Sequence, residues 1–267
     1  MHRAERRRCA ISLPGLILLI ALSQGMLGCT FENAPIAAVP IAPMTPTSAI
    51  APHIYLVHLP GMAGWTQTDV SWVRGFGDAG ISRHLEIYDW TSPNRLIGAV
   101  LAYDHNRAAA RYIAGRIAAK LREEPDAKII LTGWSAGGAV AVWTLEDLPE
   151  GMQVQSVMLM QPAVNPDHDL SKALRHVRGH FFATQSRNDW LLLGIGTMIF
   201  GTADGGAHTP AAGNAGFRMP ATGDAVEYLK LVEIPYQSDW TRYGNYGGHI
   251  GPLDRGFARE VLGPMIH

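Results

Sequence analysis

Cysteine is almost absent from this chain: of 267 residues only Cys9 and Cys29 carry a thiol, both near the N-terminus. A disulfide framework for the body of the protein is therefore excluded, and residues 53–267 must hold together by packing alone. Charge of one sign is also missing. Lys and Arg total 22 against 23 Asp and Glu, a formal net charge of −1, so no basic field for nucleic acid exists. The 11 histidines are scattered without metal-ligand spacing, and no motif demands a cofactor. No long helical insertion interrupts the second half, so no large cap domain is expected. Hydrophobic residues at 47% exclude a disordered chain, and the length suits one α/β domain with a large core.

One apolar run stands apart. Arg3, Arg6, Arg7 and Arg8 are followed by a mostly aliphatic stretch, Ile11–Leu22, and then by Gly25-Met26-Leu27-Gly28 and Cys29. No charge occurs between Arg8 and Glu32. The three-part form is that of a secretory signal peptide, and the cysteine directly after Gly28 resembles the lipobox of bacterial lipoproteins. That resemblance implies removal of residues 1–28, lipidation of Cys29 and attachment to a membrane of the bacterial cell envelope. An uncleaved signal anchor is the competing reading, since the run is long enough to span. With residues 1–28 removed, 18 Lys and Arg remain against 22 Asp and Glu, a net charge of −4. No polybasic patch remains, and attachment would rest on the lipid. Residues 29–52 read as a tether: Pro35, Pro40, Pro43, Pro46 and Pro52 among Ala, Thr and Ser favour extended, unpaired backbone.

From His53 onward, apolar β-branched runs alternate with amphipathic ones. Strands are expected at His53–His58, Leu85–Trp90, Lys128–Thr132 (ended by Gly133), Val154–Met160, His180–Thr184 and Tyr228–Ile234. Helices are expected at Asp69–Phe76, Asp104–Glu124, Ala139–Leu148, a short one ending at about Val177, and a closing one at Leu253–Leu262. Alternation of this kind implies a doubly wound, mostly parallel sheet with helices on both faces.

The chemistry gathers at Gly133-Trp134-Ser135-Ala136-Gly137-Gly138, where the third of these buried runs turns into an alanine-rich helix. Gly133 and Gly137 flank the serine because so tight a turn leaves no room for a Cβ on either side. This Gly-x-Ser-x-Gly between strand and helix resembles the nucleophile elbow of the α/β-hydrolase superfamily. The resemblance covers about His53 to the C-terminus, and it implies a serine nucleophile with acid and histidine later in the chain, in that order. Ser135, Asp189 and His249 fit, each after the C-terminal end of a strand. A neutral hydroxyl needs a base to remove its proton and a carboxylate to hold that base. Asp167 and Asp169, one strand earlier, stay open as alternatives for the acid; Asp167-His168-Asp169 reads as an exposed loop in preference to a metal site. In the superfamily the loop after an early strand supplies an oxyanion N–H. Here His58-Leu59-Pro60-Gly61 looks like that loop although it lacks a His-Gly pair, making Gly61 or Met62 the donor alongside Ala136. His58 itself reads as a supporting residue.

Trp134, Trp190 and Leu191 are candidate walls of an acyl pocket, although the apolar run Trp190–Phe200 reads first as a helix packed on the sheet. The expectation is a serine hydrolase of carboxylic esters, with a small-molecule or lipid acyl substrate and no cofactor. Two other classes stay open: a non-catalytic envelope binding protein on the same fold, and a thioesterase, peptidase or acyltransferase using the same triad.

Overall fold

A computed structural model describes residues 37–41 (backbone only), 54–81, 84–91, 95–189 and 211–266. Cys29, Trp190 and Leu191 lie outside these residues. Seven strands form one sheet in the order β1-β3-β2-β4-β5-β6-β7. They are β1 (Ala37–Ile41), β2 (Ile54–Leu59), β3 (His84–Asp89), β4 (Lys128–Trp134), β5 (Ser156–Met160), β6 (Phe181–Gln185) and β7 (Leu231–Pro235). All pairings are parallel except β1 with β3. The chain starts its parallel part at β2, steps out to β3, and returns past β2 to β4. The fold is α/β, doubly wound, and of the α/β-hydrolase type.

Strand alternation divides the core in two. Ile129 and Leu131 of β4 face a cluster with α3 (Tyr103–Glu123) and α4 (Ala136–Glu146), where Ile113, Ile117, Val140 and Leu145 are buried. Ile130, between them, faces the opposite cluster, built from Trp72 and Phe76 of α1 (Gln67–Asp78) and from Phe257 and Leu262 near the C-terminus. Successive side chains of a strand point to opposite faces, so a strand covered on both sides reads as one unbroken apolar run. In α4 every residue from Ala136 to Leu145 is buried, as a helix between sheet and α3 requires.

Three expectations need correction. The tether is not wholly unpaired: Ala37–Ile41 pairs antiparallel with β3, Val39 opposite Ile87. Its Pro40 lacks an N–H, which a strand bonded on one side only can accommodate. The strand expected from Tyr228 starts at Leu231, because Asp224 caps a helical turn, Ala225–Tyr228, through the N–H groups of Val226 and Glu227. The closing helix starts later than expected: a 3₁₀ turn (Gly251–Leu253) precedes Asp254, and a continuous helical run then follows, α over Arg255–Phe257, π over Ala258–Leu262 and α again over Gly263–Ile266. Asp254 starts the helix there by accepting from Gly256 N–H at 2.7 Å, so Leu253 stays outside it. Among the described residues no helix is long and apolar enough to cross a membrane.

Candidate active site

β4 ends at Trp134, and Ser135 follows with φ 54° and ψ −122°, a conformation L-residues rarely adopt. The surroundings hold it there. Ser135 N–H donates to Met160 O at 3.0 Å, and Ser135 O accepts from Gly138 and Ala163 N–H at 2.9 Å each. The glycines explain the closeness of the turn. A Cβ on Gly133 would stand 2.6 Å from Gly137 O, and one on Gly137 would collide with the carbonyl oxygens of Leu59 and Pro60. The start of α4 therefore packs directly against the loop after β2.

That loop is fastened by four successive carbonyls. Pro60 O accepts from Trp90 Nε1 at 2.7 Å, Gly61 O from Gly64 N–H at 3.0 Å, Met62 O from Leu96 N–H at 2.7 Å, and Ala63 O from Arg95 Nη1 at 2.9 Å. Arg95 is itself held by Asp89 at 3.1 Å. In a trans peptide the N–H points opposite to the preceding carbonyl. Tying back Pro60 O and Gly61 O thus turns the N–H groups of Gly61 and Met62 the other way. Among the described residues, the N–H groups of Gly61, Met62 and Ala136 donate to nothing, and Ala136 is the first residue of a helix, where partial positive charge gathers.

Beneath the loop lies a buried network. His58 and Asp69 are both fully buried; His58 Nε2–H donates to Asp69 Oδ1 at 3.1 Å, and His58 Nδ1 lies 2.9 Å from Thr132 Oγ1. Asp69 Oδ2 accepts from Thr66 N–H at 2.8 Å and from Thr66 Oγ1 at 2.6 Å, closing the capping box of α1. With no exposure, His58 supports the strand ends and cannot touch a substrate. Burial pushes the Asp69 carboxyl up, but the hydrogen bonds and charge of His58 and the Thr66 donors outweigh it and hold it below the usual carboxylate range. A depressed pKa contributes stability above the unfolded-state value of about 3.9, and that contribution is lost as pH falls through the lower folded value. Asp69→Asn should therefore cost about 1–3 kcal/mol at pH 7, read by urea unfolding, with the gap to wild type closing below about pH 4.

Asp189 and His249 come together across the C-terminal ends of the strands. His249 Nδ1 is 2.6 Å from Asp189 Oδ2, and Asp189 is 7% exposed. The turn bearing Asp189 is joined to the histidine loop through Ser186 Oγ, which donates to Gly247 O at 2.6 Å. Asn214 Nδ2 donates to Asp189 O at 3.2 Å and Ser186 O at 3.1 Å. Trp134, the residue before Ser135, has its ring 5.1 Å from that of His249, and its Nε1 donates to His249 O at 3.0 Å. Its other flank lies against Gly61, where a Cβ would be 2.8 Å from the indole. Among the described residues Ser135 Oγ and His249 are not hydrogen-bonded; such contacts are often longer before substrate binds.

The alternative carboxylates are engaged elsewhere. Asp167 is bound by Arg218 through two contacts of 2.6 Å, and this guanidinium, its largest influence, holds the carboxyl below its ordinary range. Asp169 Oδ1 accepts from Ser171 N–H at 2.9 Å, and His168 Nε2 lies 2.7 Å from Glu146 Oε1. These three neighbours thus take three different partners. Among the described residues no group of three or more His, Cys, Asp or Glu side chains is placed to hold a metal ion. Sequence reasoning missed Gln161, Trp90, Arg95 and Asp69, whose roles depend on partners in other elements.

An open cleft of about 800 Å³ adjoins His249 and Asp189, with Tyr246 and Ile250 on one wall and Gln67, Thr68 and Ser71 on the other. Tyr246 is 71% and Ile250 63% exposed.

No family model and no curated protein matches the chain. Solved structures do resemble it. A dienelactone hydrolase-like promiscuous phosphotriesterase from metagenomic libraries is 10% identical, covering 87% of this chain and 98% of its own, with a TM-score of 0.48. Lipase B of Aspergillus fumigatus is 13% identical over 78% of this chain and 50% of its own, at 0.47. The NocB thioesterase domain of the nocardicin cluster is 14% identical over 79% and 93%, at 0.40. Likenesses this distant say nothing about substrate, and the fold rests on the strand order itself.

Proposed function

We propose that this protein is a serine hydrolase of carboxylic esters, with Ser135 as nucleophile, His249 as general base and Asp189 as the carboxylate that orients it. The observation that carries the reading is the strained Ser135, held at φ 54° on a strand-to-helix turn beside the undonated N–H groups of Ala136, Gly61 and Met62. Backbone strain of about 1–3 kcal/mol persists where the surroundings impose it, and such places cluster at active sites.

With its Nδ1–H donating to Asp189, His249 presents the Nε2 lone pair to the serine proton. Ser135 Oγ adds to the acyl carbon while Nε2 takes its proton. The carbonyl oxygen becomes an oxyanion that Ala136 N–H and one of Gly61 or Met62 receive, typically worth about 3–4 kcal/mol per donor. The imidazolium returns the proton to the departing alkoxide, leaving an acyl-serine, and water reverses the sequence. The leaving alcohol departs on the His249 side, toward the cleft bounded by Tyr246 and Ile250. An apolar wall opposite an amide and two hydroxyls suits a leaving group with both surfaces.

The experiment is fluorophosphonate labelling of the purified protein followed by a panel of nitrophenyl esters of increasing acyl length. A single label on Ser135 and turnover of at least one ester are expected. Neither label nor turnover would make the chain a binding protein on a hydrolase fold.

We further propose that the protein is exported and anchored through lipid on Cys29, supported by Gly28-Cys29 after a charge-free apolar run. Intact mass of the membrane-extracted protein should begin at a lipid-bearing Cys29, and Cys29→Ser should leave the membrane fraction. A mass that retains Met1 would end that reading.

A further inference from the structure

The residue after β5 is built as tightly as the nucleophile. Gln161 has φ 43°, and with Leu96 and Ser135 it is one of three non-glycine residues at positive φ among the described residues. Its backbone is pinned from two sides. Gln161 N–H donates to Thr184 Oγ1 at 3.1 Å, and Gly213 lies against the Gln161 peptide with no room for a Cβ. Such a conformation in a residue with a Cβ survives only where the neighbourhood determines it.

The side chain explains why it is held. Gln161 is 3% exposed, and its amide faces two carbonyl oxygens, Gly248 O at 3.2 Å and His249 O at 2.8 Å. Since both are acceptors, the group turned toward them is the NH₂, which donates to each. Trp134 Nε1 donates to the same His249 oxygen at 3.0 Å. Two N–H donors, one at the end of β4 and one just after β5, therefore converge on the carbonyl of one histidine.

Asp189 cannot do this job. Its contact with Nδ1 sets the rotation of the imidazole, but it does not fix the backbone from which the ring hangs. That backbone is soft in sequence, Gly247-Gly248-His249-Ile250-Gly251, and Gly247 sits at φ 78°.

We infer that Gln161 is a positioning residue for His249: its amide, together with the Trp134 indole, clamps the His249 peptide so that Nε2 meets Ser135 Oγ. The inference rests on the Ser135–His249–Asp189 reading above. It also gives the end of β5 a role distinct from carrying the acid, since a carboxylate at Gln161 would face two carbonyl oxygens.

Two variants test it on the full-length protein. Gln161→Met keeps the length and removes both donors. Gln161→Gly removes the donors and also relieves the positive φ, which offsets part of the lost packing, and its folding is checked by thermal unfolding. Both should lose about 10- to 100-fold in kcat, with KM within about twofold and an equal fall in the rate of fluorophosphonate labelling, because small misplacement of a reacting group is costly. A merely structural glutamine predicts the opposite for Gln161→Gly: unchanged kcat in the folded variant, whatever its stability, which would overturn the inference. Ser135→Ala, run alongside, separates the two claims. Should Ser135→Ala retain turnover, the triad reading itself fails. Should it be inactive while folded Gln161→Gly matches wild type, the clamp alone is wrong.

Discussion

Ser135→Ala should lower kcat by about 10⁶ and leave the fold intact. The magnitude follows from how a triad acts: without the nucleophile the base and its carboxylate have nothing to activate, so removing one member costs about as much as removing all. What survives is the contribution of the oxyanion donors and of substrate binding, about 10³–10⁴ over water. The fold should tolerate the change because the elbow is held through its backbone. Met160, Gly138 and Ala163 bond the Ser135 peptide, and among the described residues the hydroxyl takes no hydrogen bond. The check is the steady-state rate on the best ester of the panel, with thermal unfolding measured in parallel. A folded variant that works at the wild-type rate removes the elbow from the chemistry.

The elbow was legible in the sequence because its causes are local. Gly133 and Gly137 are required by contacts within a few residues and with the strand next door, and both stand beside the serine in the chain. The fold class was legible for a similar reason: strands covered on both faces, such as Ile129-Ile130-Leu131, print as unbroken apolar runs. Strand order was not, since nothing in β2 or β3 records that β4 returns to the far side of β2. Five prolines made residues 29–52 read as an unpaired tether, whereas a sheet edge needs its hydrogen bonds on one side only, and Ala37–Ile41 meets that condition. The closing segment read as one helix because its apolar spacing is helical; Asp254 as a cap moves its start to Arg255, and a π turn at Ala258–Leu262 interrupts the α pattern.

Supporting residues were the least visible. Trp134 reads as a pocket wall from its place beside the serine, yet its indole lies between Gly61 and the His249 ring with its N–H on a carbonyl. Gln161-Pro162 reads as a strand end, and nothing nearby announces that the amide meets Gly248 and His249. Sequence spacing shows a group whose neighbours along the chain are dictated by local contacts. It does not show a group whose reason lies in another loop.

Identity of the acid is decided by the contrast between two asparagine variants. Asp189 touches His249 at 2.6 Å through Oδ2, while its Oδ1 is buried with no partner among the described residues. Asp167 is about half exposed and its carboxylate is taken by Arg218. In the proposed triad the carboxylate keeps the proton on Nδ1, so that Nε2 is free to accept from the serine. An amide of the same shape can donate to Nδ1 instead and stabilise the wrong tautomer, which costs on the order of 10⁴ in kcat with geometry preserved. Asp189→Asn should therefore fall by that factor, with KM little changed and a normal unfolding transition. Asp167→Asn keeps an oxygen for Arg218 and lies on an exposed surface, where ion pairs contribute about 0–1 kcal/mol. It should change kcat by no more than a few-fold. Measured on one ester at one pH, the reverse ranking in two folded variants would move the acid to the loop after β5, and Asp189 would then be a structural partner of His249.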